Sequence, residues 1–229
     1  MIKINNLTKK FTGVKGIFDV NLQLEKGNIY GLLGPNASGK STLIKSIVGV
    51  YLPTKGTIEV DNESKRDIRK TKISYMPDML DFPNTKLIDI VNLHNNLLED
   101  FSKVRLDQLL AQFNIDLSLK FKTLSKGQKM AFRLSLALAR EVDYYILDEP
   151  LSGIDPVIRK MIITEIITSI DTTDKVLIIS SHELNEIDLL IDYAILIKNG
   201  GVEGVYDIDE IRSETNLFDW YVDKFGSTV

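Results

Sequence analysis

The chain has 229 residues, a net charge of −4 and no cysteine. Its length allows one large domain with a sizeable core, and the absence of cysteine excludes disulfides, thiolate metal sites and thiol nucleophiles. With only two histidines, His94 and His182, a multi-histidine metal site is excluded. The acidic balance does not support a general nucleic-acid-binding surface.

No stretch of the sequence is typical of a membrane segment. The N-terminus lacks the apolar run of a signal peptide. Apolar stretches such as residues 176–179 fall far below the ~20 residues that cross a bilayer. We therefore expect a soluble, cytoplasmic chain that would serve a membrane only through a partner.

The N-terminal part of the chain predicts strands followed by a helix. Residues 2–7 and 18–24 have β patterns, the second with apolar residues at alternate positions. Residues 29–33 form a nearly continuous apolar run, which is typical of a strand buried on both faces. After a glycine-rich turn, apolar residues recur at helical spacing over residues 40–48.

The rest of the chain alternates between strands and helices, with one helical interruption. Residues 78–123 lack strand patterns and predict a helical insertion, including a helix near residues 88–101. The alternation elsewhere predicts a mostly parallel, doubly wound sheet, which binds ligands at the carboxyl ends of its strands. The remaining predictions are strands at 72–76, 144–147 and 176–180, helices at 124–140 and 157–170, and short strands and one short helix after residue 195.

Residues 34–41 read GPNASGKS and fit the phosphate-loop pattern G-x-x-x-x-G-K-[ST] between a strand and a helix. The glycines let successive backbone N–H groups face phosphate oxygens, and the helix N-terminus adds positive potential. Lys40 would bind the β- and γ-phosphates, Ser41 would offer its hydroxyl to Mg²⁺, and Thr42 would lie beside the α-phosphate. We therefore predict a nucleotide site rather than an incidental glycine-rich turn. Its residues are Asn36, Ala37, Ser38, Gly39, Lys40, Ser41 and Thr42.

A second candidate cluster follows the apolar strand at residues 144–147. Asp148 would hold Mg²⁺ through water, and Glu149 could orient the water that attacks the phosphate. Two adjacent acids after a buried strand are costly unless they meet a cation, although alone they could be a polar strand end at a surface turn. His182 also ends a predicted strand and could hydrogen-bond the γ-phosphate, whereas a lone histidine is more often a core or surface residue. His94 lies in a helical pattern and is interpreted as structural.

Further motifs make the sequence resemble the ABC-transporter ATPases over about residues 1–205. Residues 124–128, LSKGQ, resemble the signature motif of that family, LSGGQ, and residues 151–155, LSGID, resemble its D-loop. His182 matches the family's switch histidine. Phe11, which alone would be read as a core residue, stands where the family carries an aromatic residue that stacks on adenine.

The resemblance implies an α/β fold with a P-loop NTPase core. That core would contain a doubly wound, mostly parallel sheet, accompanied by an N-terminal antiparallel β subdomain and a helical insertion subdomain. Residues 1–229 would form a single ATPase domain. Its nucleotide-binding core would comprise residues 1–77 and 124–205, its helical subdomain residues 78–123, and its C-terminal tail residues 206–229.

The resemblance also implies that two ATPase domains, identical or different, pair head to tail around ATP and Mg²⁺. Glu149, His182 and Lys40 would be the catalytic residues. Hydrolysis would open the dimer and drive an integral-membrane permease, which would hold the chain at the cytoplasmic face of the cell membrane. No nucleic-acid partner is expected. The residues that would contact ATP bound to the partner are Ser125, Gly127, Gln128 and Asp155.

The sequence departs from the family pattern at three positions. Lys126 replaces the first glycine of the signature, where it could place positive charge near the partner's phosphates or face solvent. Asp78 replaces the glutamine of the Q-loop and is a candidate Mg²⁺ contact. Ala131 stands where relatives often carry arginine. With Lys126 and Asp78 at these positions, the sequence resembles the ATPase subunits of bacterial exporters of drugs and amphipathic peptides, whose permease is a separate chain. This resemblance favours export over import.

Other functions are weighed against this one. Asp78 and Lys126 could also make the chain a low-turnover regulatory subunit that pairs with a more active relative. A soluble ABC protein acting on ribosomes or chromosomes is disfavoured because such relatives usually fuse two ATPase domains or insert a long coiled coil. A nucleotide kinase is disfavoured because no segment resembles its acceptor site. The cargo itself is not predicted, because ATPase subunits do not touch it.

Overall fold

A computed structural model describes residues 1–226 except 14, 15, 83 and 183. Its N-terminal strands form a three-stranded antiparallel sheet. Strand β1 (Ile2–Lys10) lies between β2 (Gly16–Leu24) and β4 (Lys55–Val60). The predicted alternation holds in β2, where Val20 and Leu24 are fully buried, and the strand begins two residues before its predicted start.

The second sheet has six strands, which are parallel except for the antiparallel pair at one edge. Every residue of the strands Tyr144–Asp148 and Val176–Ser181 is buried, as expected for strands covered on both faces. The predicted mostly parallel, doubly wound sheet is confirmed. The strand order is β5 (Ile73–Met76), β6 (Tyr144–Asp148), β7 (Val176–Ser181), β3 (Asn28–Leu33), β8 (Tyr193–Lys198) and β9 (Gly201–Asp207).

Helices complete the fold on either side of the six-stranded sheet. Two of the helices between β5 and β6 lie within residues 78–123, the segment predicted as a helical insertion. The division of the chain at residues 78 and 123 stays a prediction. The helices are α1 (Lys40–Ile47), α2 (Arg66–Thr71), α3 (Leu87–Leu97), α4 (Lys103–Gln112), α5 (Lys126–Leu138), α6 (Pro156–Ser169), α7 (Leu184–Ile187), α8 (Ile208–Glu214) and α9 (Leu217–Gly226).

Two hydrophobic cores lie on opposite faces of the six-stranded sheet. Adjacent residues of β6 show the arrangement, because Tyr144 and Tyr145 are both fully buried but point to opposite sides. Tyr144 packs in the core formed with α1 and the antiparallel sheet. Tyr145 packs in the core formed with the helices that follow β5, which also contains Phe132 of α5. The sheet is therefore covered on both faces, as the uninterrupted apolar runs predicted.

Two predicted helical segments differ from the structure. The helix predicted to reach residue 101 ends at Leu97, because Leu98 is extended and the following turn places Phe101 in the core. One short helix was predicted in the tail, but α8 and α9 are separate. Asp207 caps α8 by accepting two backbone hydrogen bonds, and the extended Thr215 ends it.

The parallel strands bring three loops to one edge of the sheet. β3, β6 and β7 run side by side in the same direction, so the loops after Leu33, Asp148 and Ser181 emerge together. Those loops carry the phosphate-loop sequence, Glu149 and His182. Over the described ranges, no helix has the length and apolar character needed to cross a membrane.

Candidate functional site

A cavity of about 650 Å³ opens at this edge of the sheet. It gathers residues from the N-terminal strands, the phosphate loop, and the loops after β5, β6, β7 and β8. Residues predicted for the site that line it are Phe11, Asn36, Ala37, Ser38, Gly39, Lys40, Ser41, Thr42, Asp78, Glu149 and His182. Gly16, Phe18, Ser152, Asn199 and Gly200 also line it and were not predicted.

The phosphate loop is held open by glycines that the packing requires. A β-carbon on Gly34 would lie 2.3 Å from the carbonyl oxygen of Ile197, which no side chain can tolerate. Gly39 has φ 119° and Ala37 has φ 65°, so the chain turns through left-handed conformations just before α1. The loop therefore leads directly into the N-terminus of α1, where the positive end of the helix lies.

Lys40 is 7% exposed and points back across the loop. Its ammonium donates to the Gly34 carbonyl oxygen at 2.7 Å and lies 3.9 Å from Glu149 Oε1. Burial lowers the pKa of Lys40, while the charges of Glu149 and Asp148 oppose that shift. The ammonium is thus mostly shielded from solvent, and its attraction for an anionic oxygen is stronger than it would be in water.

A buried hydroxyl in the loop indicates what the loop can hold. Ser38 is 4% exposed, and its Oγ has no hydrogen-bond partner among the described residues. Its backbone is fully engaged, with its N–H donating to Pro35 and its carbonyl accepting from Gly200. A buried hydroxyl without a partner is costly, and an anion with several oxygens, such as a triphosphate, fits beside it.

Asp148 ends β6, is 1% exposed and is not one of the residues that line the cavity, although its neighbour Glu149 is. Ser180 Oγ, at the same level of β7, donates to Asp148 Oδ1 at 2.6 Å and accepts from the Glu149 N–H at 2.9 Å. Burial raises the pKa of Asp148, and the Ser180 hydrogen bond opposes that shift. A divalent cation would stabilise this carboxylate, and oxygen is the ligand that Mg²⁺ prefers. Ser41 lines the cavity and could supply a further oxygen.

Glu149 lies between the side chains of Lys40 and His182. Its Oε2 lies 2.7 Å from His182 Nδ1, and its Oε1 faces Lys40. The residue has φ 51°, an uncommon conformation for glutamate, and the Ser180 hydroxyl fixes its N–H. A carboxylate held in this position can accept a proton from, or orient, a water molecule at the mouth of the loop.

Asp78 lines the cavity from the loop after β5, and its side chain is exposed. The Asp78 carbonyl oxygen accepts a hydrogen bond of 2.6 Å from Arg133 Nη1 on α5. Arg133 was not predicted to matter, and no motif indicates it. This arginine ties the loop that carries Asp78 to the helix that begins in the signature sequence.

The aromatic residue predicted to stack on a base, Phe11, also lines the cavity. Phe11 follows β1 and is 38% exposed. His94, interpreted as structural, lies outside the cavity lining in α3, where its Nδ1 is 2.8 Å from the Ile90 carbonyl oxygen.

The signature residues do not line this cavity; they occupy the start of α5. Ser125 and Gln128 form a reciprocal capping box, with Gln128 N–H donating to Ser125 Oγ at 3.2 Å and Ser125 N–H donating to Gln128 Oε1 at 3.0 Å. A β-carbon on Gly127 would lie 3.3 Å from Ile158 of α6. Asp155 caps α6, since Oδ1 accepts from the N–H groups of Val157 and Ile158 at 3.0 and 3.1 Å.

Lys126 packs against the turn that resembles the D-loop. A β-carbon built on Gly153 would lie 2.1 Å from Lys126 Nζ. Gly153 has φ 63°, a conformation that favours glycine; the Lys126 ammonium ends a flexible side chain and does not itself require one. The lysine that departs from the family pattern therefore contacts a neighbouring motif of its own chain.

Comparisons with known proteins agree with this arrangement. The sequence matches the family described as ABC transporter over residues 17–152. The ABC transporter ATP-binding protein YtrB of Bacillus subtilis is 30% identical, over 93% of this chain and 74% of its own length. The lantibiotic transport ATP-binding protein SrtF of Streptococcus pyogenes is 31% identical, over 96% of this chain and 99% of its own length.

Solved structures show the same fold. An ATP-binding subunit of an ABC transporter has a TM-score of 0.86 at 25% identity, covering 97% of this chain and 98% of its own. A dimeric ATP-binding cassette in a post-hydrolysis state with ADP and Pi has a TM-score of 0.78 at 23% identity, covering 91% and 99%. The predicted fold class is confirmed, as are the predictions of ATP hydrolysis and of ATP and Mg²⁺ as cofactors. The chain belongs to the ABC transporter family, as an ATP-binding subunit that hydrolyses ATP.

Proposed function

We propose that this chain powers the export of amphipathic peptides or drugs through a separate permease at the cytoplasmic face of the membrane. The match to a relative named for lantibiotic transport, over nearly the full length of both chains, supports an exporter. The observation that carries the energy-coupling role is the placement of the Glu149 carboxylate between Lys40 and His182, at the mouth of a loop suited to a triphosphate.

In the proposed reaction the phosphate loop binds the triphosphate of ATP. The Lys40 ammonium exchanges the Gly34 carbonyl for β- and γ-phosphate oxygens, and Ser38 Oγ gains a partner. Ser41 and Asp148 would hold Mg²⁺, Asp148 through water. An ion held by these residues would neutralise the charge that develops on the phosphate oxygens. Phe11 stacks on adenine.

Glu149 orients the attacking water and takes its proton. The water oxygen bonds to the γ-phosphorus as the bond to the bridging oxygen breaks, and ADP leaves with the electron pair. Lys40 stabilises the charge on that leaving oxygen. The His182 ring, 2.7 Å from Glu149, holds the carboxylate and can reach toward the γ-phosphate with its other nitrogen.

A second ATPase domain completes the proposed site. Ser125, Gly127, Gln128 and Asp155 lie away from the cavity of their own chain, at the starts of α5 and α6. Head-to-tail pairing would bring these helix N-termini, with their positive ends, to the ATP of the partner. The partner would be a second copy or a different ATPase chain.

Replacing Glu149 tests the hydrolytic role. Glu149→Gln removes the proton acceptor but keeps the shape, so we expect turnover to fall by at least about a hundredfold while an ATP-bound dimer accumulates. Phosphate release and size-exclusion chromatography with ATP measure the two effects. Glu141→Gln is the matched control, because this exposed glutamate precedes the same strand at its opposite end. Unchanged turnover in Glu149→Gln would remove the assigned role.

A low-turnover regulatory role is the second candidate. It is favoured by two observations, the contact of Lys126 with Gly153 and the aspartate at position 78. Turnover of the isolated chain, compared with that of the complex purified with its membrane partners, separates the two. If this chain is a regulatory subunit, Glu149→Gln in it should leave the ATP turnover of the complex nearly unchanged.

The partners and the cargo need a cellular experiment. We expect purification of the tagged chain from solubilised membranes to recover a multi-span permease and to show whether a second ATPase chain is present. Cells that carry Glu149→Gln should become sensitive to the exported class. Increased sensitivity to amphipathic peptides or drugs would support export of that class, and unchanged sensitivity to both would contradict it.

A further inference from the structure

Phe11 stands on an irregular segment and needs support if it is to present its ring to a base. It follows the last residue of β1 and is 38% exposed. A side chain in that setting samples several rotamers, and fixing one of them on binding costs affinity. The contacts around the ring show how its position is restricted beforehand.

The ring of Tyr51 lies against that of Phe11. Their centroids are 5.1 Å apart and their planes are inclined by 76°, the edge-to-face geometry that aromatic pairs favour. The Lys9 ammonium lies 5.3 Å from the Phe11 centroid and 5.8 Å from that of Tyr51. Lys45 approaches the Tyr51 ring at 5.8 Å. Both rings therefore form part of one cluster of two aromatic residues and two cations.

The backbone holds this cluster from two sides. Tyr51 N–H donates to the Lys45 carbonyl oxygen of α1 at 2.9 Å. A few residues later, Thr54 N–H donates to the Thr8 carbonyl oxygen at 2.7 Å, and Thr54 Oγ1 accepts from Lys10 N–H at 3.1 Å. The segment that carries Tyr51 is thus tied both to the helix that begins at the phosphate loop and to the end of β1, next to Phe11.

We propose that Tyr51, assisted by Lys9, is a positioning residue that sets the ring of Phe11 for the nucleobase. The inference rests on the proposed stacking of Phe11 on adenine. Tyr51 does not line the cavity, so it acts through Phe11 and not by touching ATP. Because Tyr51 contacts the ring that would stack on the base, its effect falls on ligands that carry a base. A ligand with phosphates alone binds the loop unaffected.

Calorimetric titration of the full chain with MgATP and with magnesium tripolyphosphate tests this role. Tyr51→Leu removes the ring, and we expect the Kd for MgATP to rise about two- to tenfold while the Kd for tripolyphosphate stays unchanged. Tyr51→Phe keeps the ring and should bind both ligands as the unmodified chain does. Phe11→Ala measures the full effect of losing the stacked ring.

The outcomes separate the inference from the proposed stacking. Equal weakening of both ligands by Tyr51→Leu would mean that Tyr51 merely supports the fold, and would overturn the inference. An effect in Phe11→Ala without one in Tyr51→Leu would overturn it while leaving the stacking intact. If Phe11→Ala also leaves the ratio of the two dissociation constants unchanged, the stacking itself is wrong and the inference fails with it.

Discussion

Ser180 joins the two acids of the site, and its removal should be costly. Ser180 is fully buried, donates to Asp148 and accepts from the Glu149 N–H. In Ser180→Ala the buried Asp148 carboxylate loses a hydrogen bond worth about 1.5–3 kcal/mol, and the Glu149 amide loses its acceptor at a cost of about 1 kcal/mol. We expect the free energy of unfolding to fall by about 2.5–4 kcal/mol.

Urea unfolding and thermal melting measure this loss. For a chain of this size, such a change lowers the Tm by about 5–15 °C. The deficit should shrink with a bound magnesium nucleotide, because the ion then partners Asp148. Since Glu149 also loses the bond that fixes its backbone at φ 51°, kcat should fall at least about tenfold.

Ser135→Ala is the matched control. Ser135 is equally buried, but its hydroxyl donates only to the Ala131 carbonyl within α5, where alanine is the better helix former. We expect its free energy of unfolding to change by less than about 0.5 kcal/mol. If Ser180→Ala and Ser135→Ala unfold with the same free energy, the reasoning about the buried acid is refuted.

Two further substitutions test the phosphate loop and the cap of α6. Gly39→Ala places a β-carbon at φ 119° and 2.9 Å from Ile17, which costs about 1–3 kcal/mol. We expect calorimetry to show that the Kd for MgATP rises about ten- to a hundredfold. An unchanged Kd would contradict the requirement for glycine at this position. Asp155→Ala removes the cap of α6 and should lower the free energy of unfolding without nucleotide by about 0.5–2 kcal/mol. If urea unfolding shows no loss, Asp155 does not stabilise α6.

The elements that carry local patterns could be predicted from sequence. The apolar runs of β3, β6 and β7 extend over consecutive residues, and the phosphate-loop sequence combines glycines, a lysine and a helix start within eight positions. The two acids at the end of β6, Asp148 and Glu149, follow from the same logic, because charge at the end of a buried strand needs a partner. In each case the chemistry and the backbone requirement are contained in one short segment.

The residues that escaped prediction act across the fold. Ser180 sits in the sequence SSHE, but only the histidine has chemistry that stands out; the serine matters because β7 lies beside β6. Arg133 and Gly200 likewise carry no motif, and their contacts depend on which elements become neighbours. The sequence predicts one short tail helix where the structure has two, because the break at Thr215 depends on an extended residue that no glycine or proline signals. The residues expected to contact a partner's ATP stay predictions.

The placement of β3 has a consequence for how the protein is made. β3 is flanked by β7 and β8, and the turn after β8 reaches back so that Gly200 N–H donates to Ser38. During synthesis the phosphate loop leaves the ribosome long before these neighbours exist, and such distant pairings form late. A nascent chain should therefore gain affinity for MgATP only once the β8–β9 hairpin has emerged, and the nucleotide then stabilises the completed fold by mass action.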